Sequence, residues 1–273
     1  MNRVSKMSTF LFKIGGNALS DAKDRRRFCD AVSTMIDSGT RVIIVHGGGP
    51  EINKALEMKG IQPKKVNGLR VTDKDTLDVV EGTLSSINGS LVRSLKRSGV
   101  KALGVPGYVV ALCKRKEPSI VDGTAVDLMY VGDVSSVDIN AIEGLFDNGI
   151  TPVIYPIGAD ENGDHLNINA DSMASGVASA LRCDEMVQIT DVPGVLMDVK
   201  DPSSKIDEIT LIEVDELIRK GIISGGMIPK VEACREALGA GVEKVRMMNG
   251  KDDRIIISDI TSGSKEGTII RRG

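Results

Sequence analysis

Short apolar runs rich in β-branched residues alternate along the chain with longer segments whose apolar residues recur every three or four positions. The runs predict β-strands and the longer segments predict helices. The predicted strands are Thr9–Ile14, Arg41–Val45, Val100–Val105, Val109–Leu112, Thr151–Ile157, Glu185–Thr190, Lys244–Met248 and Gly267–Ile270. The predicted helices span residues 22–38, 51–59, 73–98, 136–148, 171–182, 213–220 and 229–240. This alternation indicates an α/β protein with a mainly parallel sheet and helices on both of its faces.

The predicted helix over residues 73–98 carries a long and narrow apolar stripe. Its members follow one another at steps of three and four residues: Leu77, Val80, Leu84, Ile87, Leu91 and Leu95. Such a stripe either packs on the face of the sheet or forms a coiled-coil-like contact with a second subunit. The pattern leaves both interpretations open.

One segment breaks the regular alternation of strands and helices, and one position is a candidate boundary between lobes. The segment Glu117–Asp133 contains a proline and two glycines around a short apolar run, which predicts a hairpin or a lid. The best candidate boundary between two lobes lies near Arg182–Asp184. We therefore expect an N-terminal lobe of residues 1–182 and a C-terminal lobe of residues 183–273.

Glycine is unusually frequent, with 30 of 273 residues where about 7% is typical, and its position after strands is informative. Gly15 and Gly16 follow the first predicted strand, and Gly47-Gly48-Gly49 follow the second and lead into a helix. Consecutive glycines allow the backbone to approach a ligand closely, and amides at a helix start favour an anion. Ligands of such sheets bind beyond the carboxyl ends of the strands. Together the two turns predict a phosphate site, although neither the P-loop nor the Rossmann pattern is present.

Two lysines occupy positions that are unfavourable without an anionic partner. Lys13 lies in an otherwise apolar strand, and Lys230 lies at the start of a helix, where a positive charge opposes the helix dipole. Each could be an ordinary surface lysine. Beside two glycine turns, however, they fit a phosphoryl group whose charge must be neutralised during transfer.

Further polar residues suggest how a substrate is held. Asn167 and Asn169 are two positions apart in an extended segment and therefore point the same way, and Asp171 either caps the following helix or holds active-site lysines. Arg70 follows a turn and suits a carboxylate substrate, unless it forms a surface ion pair. The two histidines, His46 and His165, are isolated, and we expect no metal site built from protein side chains.

Composition and charge exclude several classes of partner. The formal net charge is −3, aromatic residues are 3% of the chain and tryptophan is absent, which argues against nucleic-acid binding. No apolar run approaches the length of about 18 residues expected for a membrane helix. The apolar stretch Phe10-Leu11-Phe12, which ends at Lys13, is too short for a signal peptide, and Met7 is an alternative start. Four cysteines without a CxxC pair indicate reduced thiols and a cytoplasmic protein.

The motifs together resemble the amino acid kinase family, from residue 13 to residue 233. The matching segments are KIGGN (13–17), VHGGGPEIN (45–53), NGLRVT (67–72), NINAD (167–171), TDVPGV (190–195) and GGMIPKVEA (225–233). The resemblance implies an open three-layer αβα sandwich, with an acyl amino acid bound by the N-terminal lobe and ATP by the C-terminal lobe. It implies ATP-dependent phosphorylation of the γ-carboxylate of N-acetyl-L-glutamate, the second step of arginine biosynthesis, with Mg²⁺ carried by the nucleotide.

The resemblance also implies roles for individual residues. Lys13 and Lys230 would stabilise the transferring phosphoryl group, and Asp171 would organise both lysines. Substrate and γ-phosphate would be bound by Gly48, Gly49, Arg70, Asn167 and Asn169, with Gly15 and Gly16 nearby. The nucleotide site would be lined by Asp191, Val192, Pro193, Gly194, Val195, Leu196, Ile222, Ile223 and Ser224. Because the substrate carboxylate is already ionised, no catalytic base is expected.

Some features depart from the family pattern and leave alternatives open. The stretch Gly104–Tyr108 and the lid segment after it match poorly, so recognition of the acyl chain is less defined. Relatives that arginine inhibits carry an additional N-terminal helix, and Met1–Ser8 are too short for it. We therefore expect a homodimer built on the 73–98 helix, with weak or no inhibition by arginine. Alternative functions are a kinase for N-acetyl-L-aminoadipate or another small carboxylate, and a non-catalytic nucleotide or amino-acid sensor.

Overall fold

The computed structural model describes residues 7–15, 18–19, 21–121, 123–250 and 266–273, with Pro229 described by its backbone alone. The strands are β1 (Thr9–Ile14), β2 (Arg41–His46), β3 (Lys65–Val66), β4 (Leu69–Arg70), β5 (Ala102–Pro106), β6 (Ala111–Arg115), β7 (Ser119–Val121), β8 (Thr124–Val126), β9 (Val131–Val137), β10 (Thr151–Tyr155), β11 (Ile157–Ala159), β12 (His165–Ile168), β13 (Glu185–Thr190), β14 (Glu208–Thr210), β15 (Val245–Asn249) and β16 (Thr268–Arg271).

Helices connect these strands. They are α1 (Ala22–Asp37), α2 (Gly49–Met58), α3 (Lys74–Arg97), α4 (Gly107–Val110), α5 (Ile139–Asp147), α6 (Ala170–Ala180), α7 (Leu211–Arg219) and α8 (Ile228–Gly239), with short 3₁₀ helices at Pro202–Ser204 and Gly225–Met227. Most begin at a polar N-cap, as at Asp73, whose side chain accepts a hydrogen bond from Thr76 N at 2.8 Å.

Eight of the described strands form one sheet in the order β14-β16-β15-β13-β1-β2-β10-β5. Its neighbours pair in parallel except β15 and β16, which are antiparallel. The prediction of an α/β fold with a mainly parallel central sheet is therefore confirmed. Strands β6, β9, β11 and β12 form a small closed barrel, and β3–β4 and β7–β8 are two-stranded hairpins.

The alternation of side chains along β1 explains how the sheet is covered on both faces. Phe10, Phe12 and Ile14 point into a cluster shared with α1 and the C-terminal half of α3. Leu11 points to the other face, into a cluster shared with α6 and α8. Because Lys13 is two residues after Leu11, it lies on this second face, towards the start of α6.

Most predicted elements are confirmed within a few residues, and three predictions are wrong in part. Val109 and Val110 belong to α4 rather than to a strand, the predicted strand 151–157 is interrupted at Pro156, and residues 136–137 end β9 before α5 begins. The reason for the first is close packing. A Cβ atom at Gly107 would lie 2.8 Å from the Ile157 carbonyl oxygen, so the chain turns tightly against the barrel there.

The structure distinguishes the two interpretations of the α3 stripe. Leu77, Val80, Leu84, Leu91 and Leu95 are buried within the chain and Ile87 is half-buried, so the stripe packs mainly on the chain's own strands and helices. A hairpin, β7–β8, lies in the segment where a hairpin or lid is predicted. Among the described helices, none has the length and apolar character needed to cross a membrane.

Candidate active site

The carboxyl ends of β13, β1 and β2 lie side by side at one edge of the sheet, and glycines follow two of them. The Gly15 amide donates to the Ile189 carbonyl at 3.0 Å, and the Gly47 amide donates to the Ile14 carbonyl at 3.0 Å. At Gly48, an added Cβ would lie 2.5 Å from Ile87 Cδ1. The turn therefore lies close against the side chains of α3, and it leads directly into the N-terminus of α2, where backbone amides favour an anion.

Two cavities open at this edge of the sheet and share part of their walls. The first has a volume of about 300 Å³ and lies against the glycine turn, Arg70 and the segment Asn167–Asp171. The second has a volume of about 350 Å³ and lies against Thr190, Asp191 and Lys230. Lys13, Gly15 and Asp171 line both cavities. A group transferred from one cavity to the other would therefore pass Lys13 and Asp171.

Lys13 and Lys230 each form an ion pair at these cavities. Lys13 Nζ lies 2.8 Å from Asp171 Oδ1, and the Lys13 side chain is only 14% exposed. Lys230 Nζ lies 2.7 Å from Asp191 Oδ1. Sequence reasoning expects Asp171 to hold both lysines, whereas in this structure the carboxylate beside Lys230 is that of Asp191.

Arg70 is buried in the wall of the first cavity. Its Nη2 donates to Asn53 Oδ1 at 2.6 Å, while its Nη1 is buried and has no hydrogen-bond partner among the described residues. Burial lowers the pKa of the guanidinium, although arginine stays charged in proteins. The interpretation as a surface ion pair is therefore wrong, because Arg70 is 8% exposed and presents an unused donor at a cavity.

The two asparagines lie beside Arg70 in the wall of the first cavity and have different hydrogen bonds. Asn167 Nδ2 donates to the Thr72 hydroxyl at 3.0 Å. Asn169 Oδ1 accepts from the Asp171 backbone amide at 2.7 Å and is the N-cap of α6. The alternative that Asp171 caps this helix is therefore wrong, and its carboxylate is engaged with Lys13 instead.

The segments expected to line the nucleotide site lie beside the second cavity and in the core. Asp191 lines the cavity, whereas Val195 and Ile223 are buried in the core and Ile222 and Val192 pack against it. Gly194 adopts a φ of 143°, and an added Cβ would lie 2.4 Å from Thr268 Oγ1. The remaining members of the two segments are Pro193, Leu196 and Ser224, and Gly16 lies outside the described residues.

His46 supports the glycine turn from behind. Asn88 Nδ2 donates both to Val153 O at 2.8 Å and to His46 Nε2 at 3.1 Å. His46 Nε2 is thus an acceptor, and Nδ1 donates to Gly47 O at 2.9 Å. Burial lowers the pKa of His46 to about 4, so the ring is neutral. Within the described ranges, no three His, Cys, Asp or Glu side chains are grouped to hold a metal ion.

The family of the chain follows from comparison with known proteins. A family model described as the amino acid kinase family matches residues 8–249. The chain belongs to the amino acid kinase family. Among curated relatives of this kinase, an acetylglutamate kinase from Methanopyrus kandleri is 43% identical over 241 residues, covering 88% of this chain and 94% of the relative. An acetylglutamate kinase from Methanococcus maripaludis is 40% identical over 269 residues, covering 96% and 92%.

Solved structures share the amino acid kinase fold. The protein smu.665 from Streptococcus mutans is 32% identical, with a TM-score of 0.78 over 97% of this chain and 99% of that one. Carbamate kinase from Giardia lamblia, solved with bound AMP-PNP, has a TM-score of 0.69 at 18% identity over 98% of this chain and 99% of that one. The similarity to carbamate kinase, at 18% identity, shows a shared fold alone.

Sequence reasoning misses three polar residues at the cavities of this kinase. Lys65, on the β3–β4 hairpin, lines the first cavity. Thr72 is fully buried and holds Asn167, and Gln188 lines the second cavity from β13. A polar residue inside the apolar run of β13 is a signal for Gln188, whereas Lys65 is placed by hairpin geometry that the sequence does not reveal.

Proposed function

We propose that this amino acid kinase transfers the γ-phosphoryl group of ATP to the γ-carboxylate of N-acetyl-L-glutamate. The products are N-acetyl-L-glutamyl 5-phosphate and ADP, and the reaction is the second step of arginine biosynthesis. The observation that carries the proposal is the pair of cavities that meet at Lys13 and Asp171. The curated relatives named acetylglutamate kinase, about 40% identical over nearly the whole chain, support the choice of substrate.

In this proposal the first cavity holds the acceptor. Nη1 of Arg70, which is buried and has no partner among the described residues, binds the α-carboxylate as a charge-assisted donor. Asn167, positioned by Thr72, binds the amide of the acetyl group, and Asn169 lies beside it. The amides of Gly48 and Gly49 bind the accepting carboxylate and the γ-phosphate, with Gly15 and Gly16 close to the same group.

The chemical step needs charge neutralisation and positioning rather than a base. An oxygen of the ionised γ-carboxylate forms a bond to the γ-phosphorus, and the bond from that phosphorus to the β,γ-bridging oxygen breaks, so that the electron pair leaves with ADP. No proton moves from the acceptor. Lys13 and Lys230 neutralise charge on the transferring group, and Asp171 fixes the ammonium of Lys13.

The nucleotide is ATP, and its magnesium ion is held by its own phosphates. Among the described residues that line the second cavity, the carboxylates are those of Asp171 and Asp191, and both are paired with lysines, which fits an ion carried by the nucleotide. Mg²⁺ supplies neutralisation of phosphate charge when bound. In this assignment residues 1–182 bind the acceptor, and residues 183–273 bind ATP through Asp191–Leu196 and Ile222–Ser224.

We infer that two copies pair through the surface formed by β5, α4 and β6, where apolar side chains remain exposed. Leu103 on the edge strand β5, Val109 on α4 and Leu112 on β6 are 44%, 52% and 48% exposed. An exposed apolar patch at a free sheet edge favours association with another chain. Since the α3 stripe is buried within the protomer, this contact uses the neighbouring surface.

A cytoplasmic location agrees with the thiol chemistry. Cys29, Cys113, Cys183 and Cys234 are all free and buried, as expected for a reducing compartment. Burial raises the pKa of Cys113 to about 11 and that of Cys29 to about 12. These thiols are therefore protonated and unreactive at neutral pH.

The proposal is tested by measuring ADP release from Mg-ATP with a panel of small carboxylates, while hydroxylamine traps the acyl phosphate. The panel contains N-acetyl-L-glutamate, N-acetyl-L-aminoadipate, N-acetyl-L-aspartate and free L-glutamate. We expect the highest kcat/KM with N-acetyl-L-glutamate. A pocket discriminates one methylene by only about 10- to 200-fold, so the aminoadipate compound is the critical comparison. Turnover on another acid with none on N-acetyl-L-glutamate would refute the substrate.

A further inference from the structure

The side chain of Gln188 is an unexplained polar group in the core of the sheet. It lies on β13 directly opposite Lys13 of β1 in the parallel register, and the residue is only 1% exposed. Its Nε2 is buried and has no hydrogen-bond partner among the described residues. Yet Gln188 also lines the second cavity, together with Lys13 and Lys230.

A buried amide without a partner is unfavourable, because desolvation of its N–H groups is not compensated by a hydrogen bond. Its neighbours on β13 are Val187 and Ile189, both buried and apolar. An apolar side chain at this position would fill the same space at lower cost. An uncompensated donor at a cavity wall therefore points to a ligand that accepts hydrogen bonds.

The charges around Gln188 define that ligand as an anion. Lys13 and Lys230 line the same cavity, and each is paired with one carboxylate. Thr190, which also lines this cavity from β13, already donates its hydroxyl to Val192 O at 3.0 Å. The donor that Gln188 offers is thus available to a phosphate oxygen bound in the cavity that Lys13 and Lys230 also line.

We propose that Gln188 is a further catalytic residue, whose Nε2 donates a hydrogen bond to a non-bridging oxygen of the transferring γ-phosphoryl group. The inference rests on the proposed phosphoryl transfer. The amide gives up no proton and forms no covalent bond. As an amide dipole held in the core of the sheet, it stabilises negative charge on phosphate oxygens at little cost of reorientation.

The decisive variant is Gln188→Met, which removes the donor and keeps a side chain of similar length. We expect kcat to fall about 10²- to 10³-fold, as when one preorganised donor is lost, with a change in the KM of ATP below about threefold. At the same time Tm should rise by about 2 °C, because the unpaired amide is removed from the core. A purely structural role would lower Tm instead.

Ser175→Ala is the matched control. The Ser175 hydroxyl is also buried without a partner among the described residues, but it belongs to the interior of α6. We expect an equal or higher Tm and a kcat within about twofold of wild type. The control separates the effect of removing a buried unpaired group from the effect of removing a donor at the cavity.

If Gln188→Met loses stability, a second variant tests whether Gln188 contacts the phosphoryl group. Gln188→Glu keeps the side-chain volume but places a carboxylate against phosphate, and we expect kcat to fall at least 100-fold. A kcat within threefold of wild type in either folded variant would overturn the proposal. If wild type prefers another carboxylate, the same variants are assayed with that acceptor, so failure of the substrate assignment is distinguishable from failure of the Gln188 assignment.

Discussion

Lys13 Nζ lies 2.8 Å from Asp171 Oδ1 at the wall that the two cavities share. The lysine comes from the sheet and the aspartate from the first turn of α6, so the ion pair fixes the helix start against the end of β1. An ammonium in this position can contact an oxygen that leaves one cavity and an oxygen that arrives from the other. This geometry suits transfer between two ligands better than binding of a single one.

Removing Lys13 should therefore impair turnover more than binding. For Lys13→Ala we expect kcat to fall by about 10²- to 10³-fold, the cost of losing one group that stabilises developing charge, with a smaller than tenfold change in the Kd of ATP. Steady-state kinetics and calorimetric titration measure the two quantities. Lys96→Ala, on an exposed part of α3, is the control and should behave as wild type. Near-normal turnover of Lys13→Ala would remove this residue from the mechanism.

Substitution of Lys230 distinguishes a contribution to catalysis from a contribution to stability, because its ion pair with Asp191 stabilises the fold only weakly. Their ion pair is partly exposed, with 30% and 56% of the side chains accessible, so it contributes at most about 1 kcal/mol to stability. We expect Lys230→Ala to lower kcat by about 10²-fold with little change in the free energy of unfolding. Chemical denaturation and kinetics on the same samples test this. A loss of stability that matches the loss of activity would contradict it.

Arg70 should determine affinity for the acceptor through the α-carboxylate. Arg70→Lys replaces the planar guanidinium with a single ammonium nitrogen. We expect the KM of N-acetyl-L-glutamate to rise at least tenfold, because one charge-assisted hydrogen bond contributes about 1.5–3 kcal/mol. The chemical control is 4-acetamidobutyrate, which lacks the α-carboxylate. Its kcat/KM should be poor with wild type and nearly unchanged by the substitution. An equal loss of kcat/KM with both compounds would show that Arg70 does not bind the α-carboxylate.

The pKa of His46, lowered to about 4 by burial, predicts how stability depends on pH. An unfolded histidine, with a pKa near 6.5, binds a proton that the folded protein excludes. Stability is thus fully present above pH 6.5 and is lost as pH falls towards 4, by about 3 kcal/mol. The free energy of unfolding of His46→Gln should lack this loss between pH 6.5 and 4. An unchanged pH profile in the variant would contradict the assignment.

Much of this architecture is predictable from the sequence because its signals are local. The apolar run of β1, the glycines after β1 and β2, and the cap of α3 at Asp73 each act over a few residues. The positions of Gln188 and Lys65 depend instead on which strands become neighbours, and the parallel pairing of β1 with β13 joins residues 175 positions apart, as in the hydrogen bond of Thr9 N to Asp184. The partner of Lys230 is likewise a tertiary property, since the family resemblance implies Asp171 whereas the lysine pairs with Asp191 in the structure.

The exposed apolar surface formed by β5, α4 and β6 predicts a homodimer that one charge can disrupt. Val109→Asp places a carboxylate on the patch formed with Leu103 and Leu112, where desolvating it in an interface would be costly. We expect light scattering coupled to size exclusion to give the mass of a dimer for wild type and of a monomer for the variant. Val199→Asp is the control, because Val199 is 79% exposed and lies in the segment between β13 and β14. A monomeric or hexameric wild type, or a Val109→Asp protein that remains dimeric, would contradict this interface.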